Sequence, residues 1–274
     1  MTPAPKESSV KGKLDLLIVL KLGTNVLQND TKSLDKRHIQ EISMIVRRYA
    51  GKILIVSSGA VALGKELKSG KYDSESNETL QKRKYAGVGQ PELVRIWGQY
   101  LNPNDPHQPQ VLVDYEKSLE ETKGVIHSYL ADGEVPILNW NDVTSSLELK
   151  GGRAFDDNDR LARLVATECC GIANKVSLVI CSTPPEGSKE KLIRVYNLKN
   201  LESFKSAEKT VSGTGDGNSK IGYMQEAFLA GVDPVVLADG RDVENLGEIL
   251  SIIDAGSEPG EHANGIWLAL QENQ

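Results

Sequence analysis

Cysteine is scarce in this chain of 274 residues, with only Cys169, Cys170 and Cys181. An odd number with two adjacent makes no disulfide framework and matches no metal-ligand spacing, so a reducing compartment is expected. Long apolar runs are missing too, and none reaches the length needed to cross a bilayer. Residues 1–13 are polar, with Pro3 and Pro5, and have neither the apolar core of a secretion signal nor an Arg-rich amphipathic face. They are expected to form a disordered tail, and the chain to be cytoplasmic with no membrane partner. Positive charge is not in excess: 32 Lys and Arg against 38 Asp and Glu leave a net charge of −6, which argues against a nucleic-acid surface. The commonest nucleotide signatures are also missing, since there is no GxxxxGK[ST] and no GxGxxG after the first apolar run. The four histidines, His38, His107, His127 and His262, show no pattern of partners and are expected at the surface. No residue is assigned to a protein-held metal.

What the chain does contain is an alternation of short apolar runs and amphipathic stretches. Strands are expected at Leu16–Leu20, Lys52–Val56, Gln110–Val113, Val135–Asn139, Val176–Cys181 and Pro234–Ala238. Helical spacing appears over Ile39–Tyr49, Leu119–Leu130, Asp159–Cys170 and Lys220–Ala230, and Leu80–Tyr100 suggests helices around Gly87–Gln90. Cys169-Cys170 is expected to pack at a helix end. Lys68–Asn77 and Asn102–Pro109 read as polar loops of the kind that form lids or interfaces. Such alternation implies an α/β fold with a mainly parallel sheet covered on both faces. No repeat or linker divides the chain, so residues 14–274 are expected to be one domain.

Residues able to do chemistry gather where strands end, the usual ligand edge of an open parallel sheet. Lys21-Leu22-Gly23-Thr24 ends the first strand with a cation beside exposed backbone N–H groups, which suits a phosphate. Ser57-Ser58-Gly59-Ala60 is a small-residue turn into a helix, where N–H donors favour an anion. Gly213-Thr214-Gly215-Asp216-Gly217 precedes a helix opened by Lys220, a flexible stretch able to wrap phosphates or to be an unoccupied surface loop. Asn139-Trp140-Asn141-Asp142 and Asp156-Asp157-Asn158-Asp159 place carboxylates and amides after the fourth strand. They suit a substrate ammonium, a metal or the orientation of lysines, and one of them is expected only to cap a helix. The spacing of a Ca²⁺ loop is absent.

In this order the segments resemble the amino-acid kinase family, and within it the γ-glutamyl kinase branch. Ile18–Leu27 is similar to the family's first strand and phosphate turn, Ile55–Gly64 to its second, and Ala86–Gln90 to the segment leading into its long helix. Val135–Asp142 and Asp157–Asp159 are similar to its glutamate-binding signatures. The resemblance implies a three-layer αβα sandwich and phosphorylation of the γ-carboxylate of L-glutamate by ATP with Mg²⁺, the first step towards proline. It implies a catalytic group of Lys21, Lys220, Asp159, Gly23 and Gly59, with glutamate held by Ser58, Asp142, Asp157 and Asn158. The nucleotide would meet Lys21, Ser182, Gly213, Thr214, Gly215 and Lys220. It further implies a homo-oligomer (dimer or tetramer) and feedback inhibition by proline. Two departures stand out. Many members carry a C-terminal PUA domain, and this chain stops roughly where the kinase domain ends. After the fifth strand the family has a Thr-Asp pair and a short insertion, whereas here Cys181-Ser182-Thr183-Pro184-Pro185-Glu186-Gly187 follows, so few contacts to the nucleotide base are expected. Sister kinases acting on acetylglutamate or aspartate, and a non-catalytic glutamate- or proline-binding regulator, are the alternative readings.

Overall fold

The computed structural model describes residues 12–114, 116–144, 158–183, 193–196, 217–258, 263 and 265–269. Their strands form one eight-stranded sheet in the order β3-β4-β2-β1-β5-β7-β8-β6. In chain order these are β1 (Leu14–Leu22), β2 (Ile53–Ser57), β3 (Gln110–Val113), β4 (Ile137–Trp140), β5 (Ala173–Ser182), β6 (Ile193–Tyr196), β7 (Val235–Asp239) and β8 (Gly265–Leu268). All neighbours pair in parallel except β7 with β8. Central β1 explains why an apolar run this dense makes a strand: residues 16–22 are all buried, since both faces of a parallel sheet are covered.

The helices are α1 (Thr24–Leu27), α2 (Lys36–Val46), α3 (Ala60–Leu67), α4 (Glu78–Leu101), α5 (Glu116–Ala131), α6 (Asn158–Cys169), α7 (Gly217–Leu229) and α8 (Val243–Ala255). They divide between the two faces. Leu17 and Val19 of β1 pack into a core with residues of α5, α6 and α7, while Leu16, Ile18, Leu20 and Leu22 pack into another with α2, α3, α4 and α8. The result is a three-layer αβα sandwich with a mainly parallel sheet. Because side chains alternate along a strand, Lys21 follows Leu17 and Val19 towards the α6–α7 layer.

Contact between α3 and α4 depends on glycine. A Cβ on Gly64 would lie 1.9 Å from the Tyr85 carbonyl oxygen, and one on Gly89 only 1.8 Å from that of Ala60. The two backbones therefore touch, and the second helix that Gly87–Gln90 suggested does not exist: α4 runs unbroken for 24 residues. Pro91 lies within it. Its missing hydrogen bond falls at Gly87 on the exposed side, where water can serve the carbonyl.

Other expectations need correction. Helix α7 begins at Gly217, before Lys220. Strands β6 and β8 and helix α8 were not anticipated; Arg194 interrupts the apolar run of β6, and β8 opens on Gly265. His38 and His127 are buried, because each finds a backbone carbonyl, that of Gly240 at 2.9 Å and of Gly12 at 3.0 Å. His107 is exposed as expected, Cys169 is buried at the end of α6, and His262 lies outside the described residues. The loop over residues 68–77 is tied to α4, since the Tyr85 hydroxyl accepts from Tyr72 N and donates to Asp73 Oδ1. No described helix is long and apolar enough to cross a membrane.

Candidate active site

Parallel strands bring their carboxyl ends to one edge, and there β1, β2, β4, β5 and β7 deliver Gly23, Ser58, Asn141, Thr183 and Gly240 in turn. At its centre stands Asp159, in the first turn of α6 and wholly buried. One carboxylate oxygen pairs with Lys21 Nζ and the other with Lys220 Nζ at 3.1 Å. Lys21 comes from β1 and is itself buried, whereas the Lys220 side chain, from the first turns of α7, keeps 22% of its surface exposed. Burial alone would push the Asp159 carboxyl up, but the two ammonium groups outweigh it and hold it below the usual carboxylate range. The group is therefore an ionised carboxylate clamped between two cations at the ligand edge.

Two glycines keep this edge open. A Cβ on Gly23, the residue before α1, would lie 3.3 Å from Lys21 Nζ, so any side chain there would crowd the ammonium. Gly59 caps α3 with φ 106°, a left-handed conformation that glycine adopts without strain, and it aims the first N–H groups of α3 towards the same edge. Beside it, Asn158 Nδ2 donates to Ser58 Oγ at 2.8 Å. Asn158 Oδ1 is buried without a hydrogen-bond partner among the described residues. With the amide turned over, the Ser58 hydroxyl would donate and an N–H₂ would take the place of the unpartnered oxygen, so this pair can serve either an ammonium or a carboxylate.

Of the remaining expected residues, Asp142 lies half-buried in the turn two residues beyond β4, and Ser182 ends β5 opposite Asp239 of β7. Asp157, Gly213, Thr214, Gly215 and Pro184–Gly187 lie outside the described residues. No group of three or more His, Cys, Asp or Glu able to hold a metal ion occurs among the described residues. Both oxygens of Asp159 are already taken by lysines, so among the described residues the site fits a Mg²⁺ that comes with a nucleotide's phosphates.

The amino acid kinase family model matches residues 17–239. The chain belongs to this family. A glutamate 5-kinase of Sodalis glossinidius is 30% identical over 277 residues, covering 94% of this chain and 71% of that one. The Photobacterium profundum glutamate 5-kinase is 29% identical over 260 residues, covering 89% of this chain and 65% of the relative. That of Proteus mirabilis is 32% identical over 242 residues, with 81% and 62% covered. The chain thus spans about two thirds of the length of these relatives (62–71%). Among solved structures, carbamate kinase from Giardia lamblia bound to AMP-PNP superposes with a TM-score of 0.61 at 13% identity, covering 96% of this chain and all of that one. At that identity the likeness is one of fold.

Several contacts of this amino acid kinase that shape the edge escaped sequence reading. Asn139 is buried on β4, where its Nδ2 donates to Gln90 Oε1 at 2.7 Å and its Oδ1 accepts from Trp140 N at 2.9 Å. It braces α4 against the strand. The signal was available, since Gln90 is a polar residue within the stripe formed by Ala86, Leu93 and Trp97. Trp97 Nε1 donates to Ser57 Oγ at 3.0 Å, fixing the residue just before the Ser58 turn. Arg241, beyond β7, bonds to two carbonyls at the end of α1. Nothing local in the sequence marks that contact.

Proposed function

We propose that this amino acid kinase transfers the γ-phosphoryl group of ATP to the γ-carboxylate of L-glutamate, giving ADP and γ-glutamyl phosphate. The observation that carries the proposal is the buried Asp159 holding both Lys21 and Lys220 at the carboxyl edge of the sheet. An acceptor carboxylate is already ionised, so its oxygen can attack phosphorus while the bond to the β-phosphate oxygen breaks, and no strong base is needed. Catalysis then reduces to positioning and to stabilising moving charge. Lys21 and Lys220 would flank the transferred phosphoryl group, Asp159 would orient them, and Gly23 and Gly59 would present N–H groups to phosphate oxygens. Mg²⁺ bound to the phosphates would add further neutralisation.

Glutamate as acceptor is supported by the names of the relatives and by the adjacent polar pair Ser58–Asn158. In this reading Asp142 meets the substrate ammonium, and Asp157 and Asn158 complete the pocket. Ser182, Gly213, Thr214 and Gly215 would line the nucleotide. Entry into proline synthesis, inhibition by proline, a dimeric or tetrameric assembly and a cytoplasmic location belong to the same proposal. The test is ADP release by the purified chain with MgATP and a panel of L-glutamate, N-acetylglutamate, L-aspartate and carbamate. Glutamate should be preferred by about a hundredfold in kcat/KM, since a site built for an ammonium is left with an unpaired charge by the acetylated analogue. Equal turnover of N-acetylglutamate, or turnover of none of the four, would remove the assignment.

A further inference from the structure

Helix α1, which directly follows Gly23, is a single turn of four residues and could not hold its shape alone. What holds it comes from the other side of β5. The Arg241 guanidinium, just past β7, donates through Nη2 to the carbonyl of Asn25 at 2.9 Å and to that of Gln28 at 2.7 Å. A cation there satisfies carbonyls at the helix C-terminus, the end where positive charge is favoured. The turn carrying Arg241 is itself fixed. Arg241 N donates to Asp239 Oδ1 at 2.9 Å, and His38 Nε2 donates to the Gly240 carbonyl at 2.9 Å. A Cβ on Gly240 would lie 2.7 Å from both Val26 methyl carbons and 2.8 Å from Cys181 Cβ, so this turn seats directly against α1.

We infer that Arg241 is a positioning residue for phosphate transfer: it pins α1 and thereby sets where the Gly23 backbone stands relative to the Lys21 ammonium. This rests on the proposed phosphotransfer, in which Gly23 and Lys21 meet the nucleotide's phosphates. Arg241 touches neither reactant in this scheme. Its influence passes through four residues of backbone, and displacements on the order of 1 Å at such a site can cost about a hundredfold in rate.

The experiment uses the full chain and its Arg241→Ala and Arg241→Lys variants, with two independent readouts. One is the Kd of MgAMP-PNP by calorimetry, which needs no turnover; the other is kcat and KM from ADP release. Arg241→Ala should raise the Kd for MgAMP-PNP about tenfold and lower kcat about 10- to 100-fold, with the KM for glutamate within about twofold. Arg241→Lys, whose ammonium ends about one bond short of the Nη2 that reaches both carbonyls, should fall between, and millimolar guanidinium should partly restore Arg241→Ala. A folded Arg241→Ala with Kd and kcat within about twofold of the unmodified chain overturns the inference, as does a lowered Tm with both constants unchanged. Should Arg241→Ala fail to fold, an Arg241→Lys variant indistinguishable in Kd overturns it equally. If the unmodified chain binds MgAMP-PNP but phosphorylates no acceptor, the proposed function fails and Arg241 is judged on Kd alone. If it binds no nucleotide, both fall.

Discussion

Replacing Asp159 by Asn removes the charge that joins Lys21 to Lys220 while keeping nearly the same shape. Asp159 and Lys220 stand 3.1 Å apart, so at an effective dielectric of about 20 they attract by about 5 kcal/mol, and the Lys21 contact is closer. Desolvation and repulsion between the ammonium groups offset much of this, and breaking such a buried pair costs about 3–5 kcal/mol. The lower end is expected because Lys220 retains 22% of its side-chain exposure and can turn towards water. Asp159→Asn should therefore lower the unfolding free energy by about 3 kcal/mol at pH 7, read by urea denaturation. The pH dependence has a fixed direction. Folding lowers the Asp159 pKa, the lysines overcoming the effect of burial, so its contribution is complete above the unfolded value of about 3.9 and is lost as pH falls through the folded value. The gap between protein and variant should be constant from pH 7 to 5 and narrow only under stronger acid. Turnover should fall roughly 10²-fold or more, whereas the KM for MgATP should not rise, because a negative charge has left the neighbourhood of the phosphates. A stability gap under about 1 kcal/mol at pH 7, or one that widens as pH falls, would refute the reasoning.

Asp142→Ala should raise the KM for glutamate roughly 30-fold or more and leave that for MgATP unchanged, the cost of stranding a desolvated ammonium; an unchanged glutamate KM removes Asp142 from the site. Gly89→Ala should destabilise by about 3 kcal/mol, since its Cβ would meet the Ala60 carbonyl at 1.8 Å. Gly87→Ala, whose nearest neighbour would be Val143 Cγ2 at 3.5 Å, should be close to neutral, and equal urea midpoints for the two would contradict the packing argument. Burial pushes the thiols of Cys169 and Cys181 up to about 12, so iodoacetamide at pH 8 should label neither in the native protein, with Cys170 reacting slowly. Mass spectrometry showing rapid native labelling of Cys181 would be inconsistent with its place beneath Gly240.

Six of the eight strands were legible because buried parallel strands are continuous apolar runs, and Lys21 was legible as a cation at the tip of the first run, beside a turn glycine. The association of Lys21, Asp159 and Lys220 was expected from the resemblance, and the alternation of β1 supplies its physical reason: position 21 shares a face with Leu17 and Val19, the face that α6 and α7 cover. Strands β6 and β8 are no shorter than β3 and β4, but Arg194 interrupts the first and a strand-weakening glycine opens the second. The unbroken α4 was hidden because Gly87, Gly89 and Pro91 look like a break, and only the touching backbones of α3 and α4 turn Gly89 into a packing device.

By itself the chain's order of runs, turns and charges determined the layered α/β fold and pointed to the sheet edge proposed here as the ligand site. It could do so because hydrophobic period and strand-end chemistry are local properties. Tertiary structure alone decided that His38 would bond the Gly240 carbonyl, that Asn139 would brace Gln90 and that Arg241 would cap α1. Those contacts join residues about 50 to more than 200 positions apart, and nothing in the local sequence pairs one partner with the other. Only the folded sheet, by bringing the ends of β1, β4 and β7 to one edge, makes them neighbours.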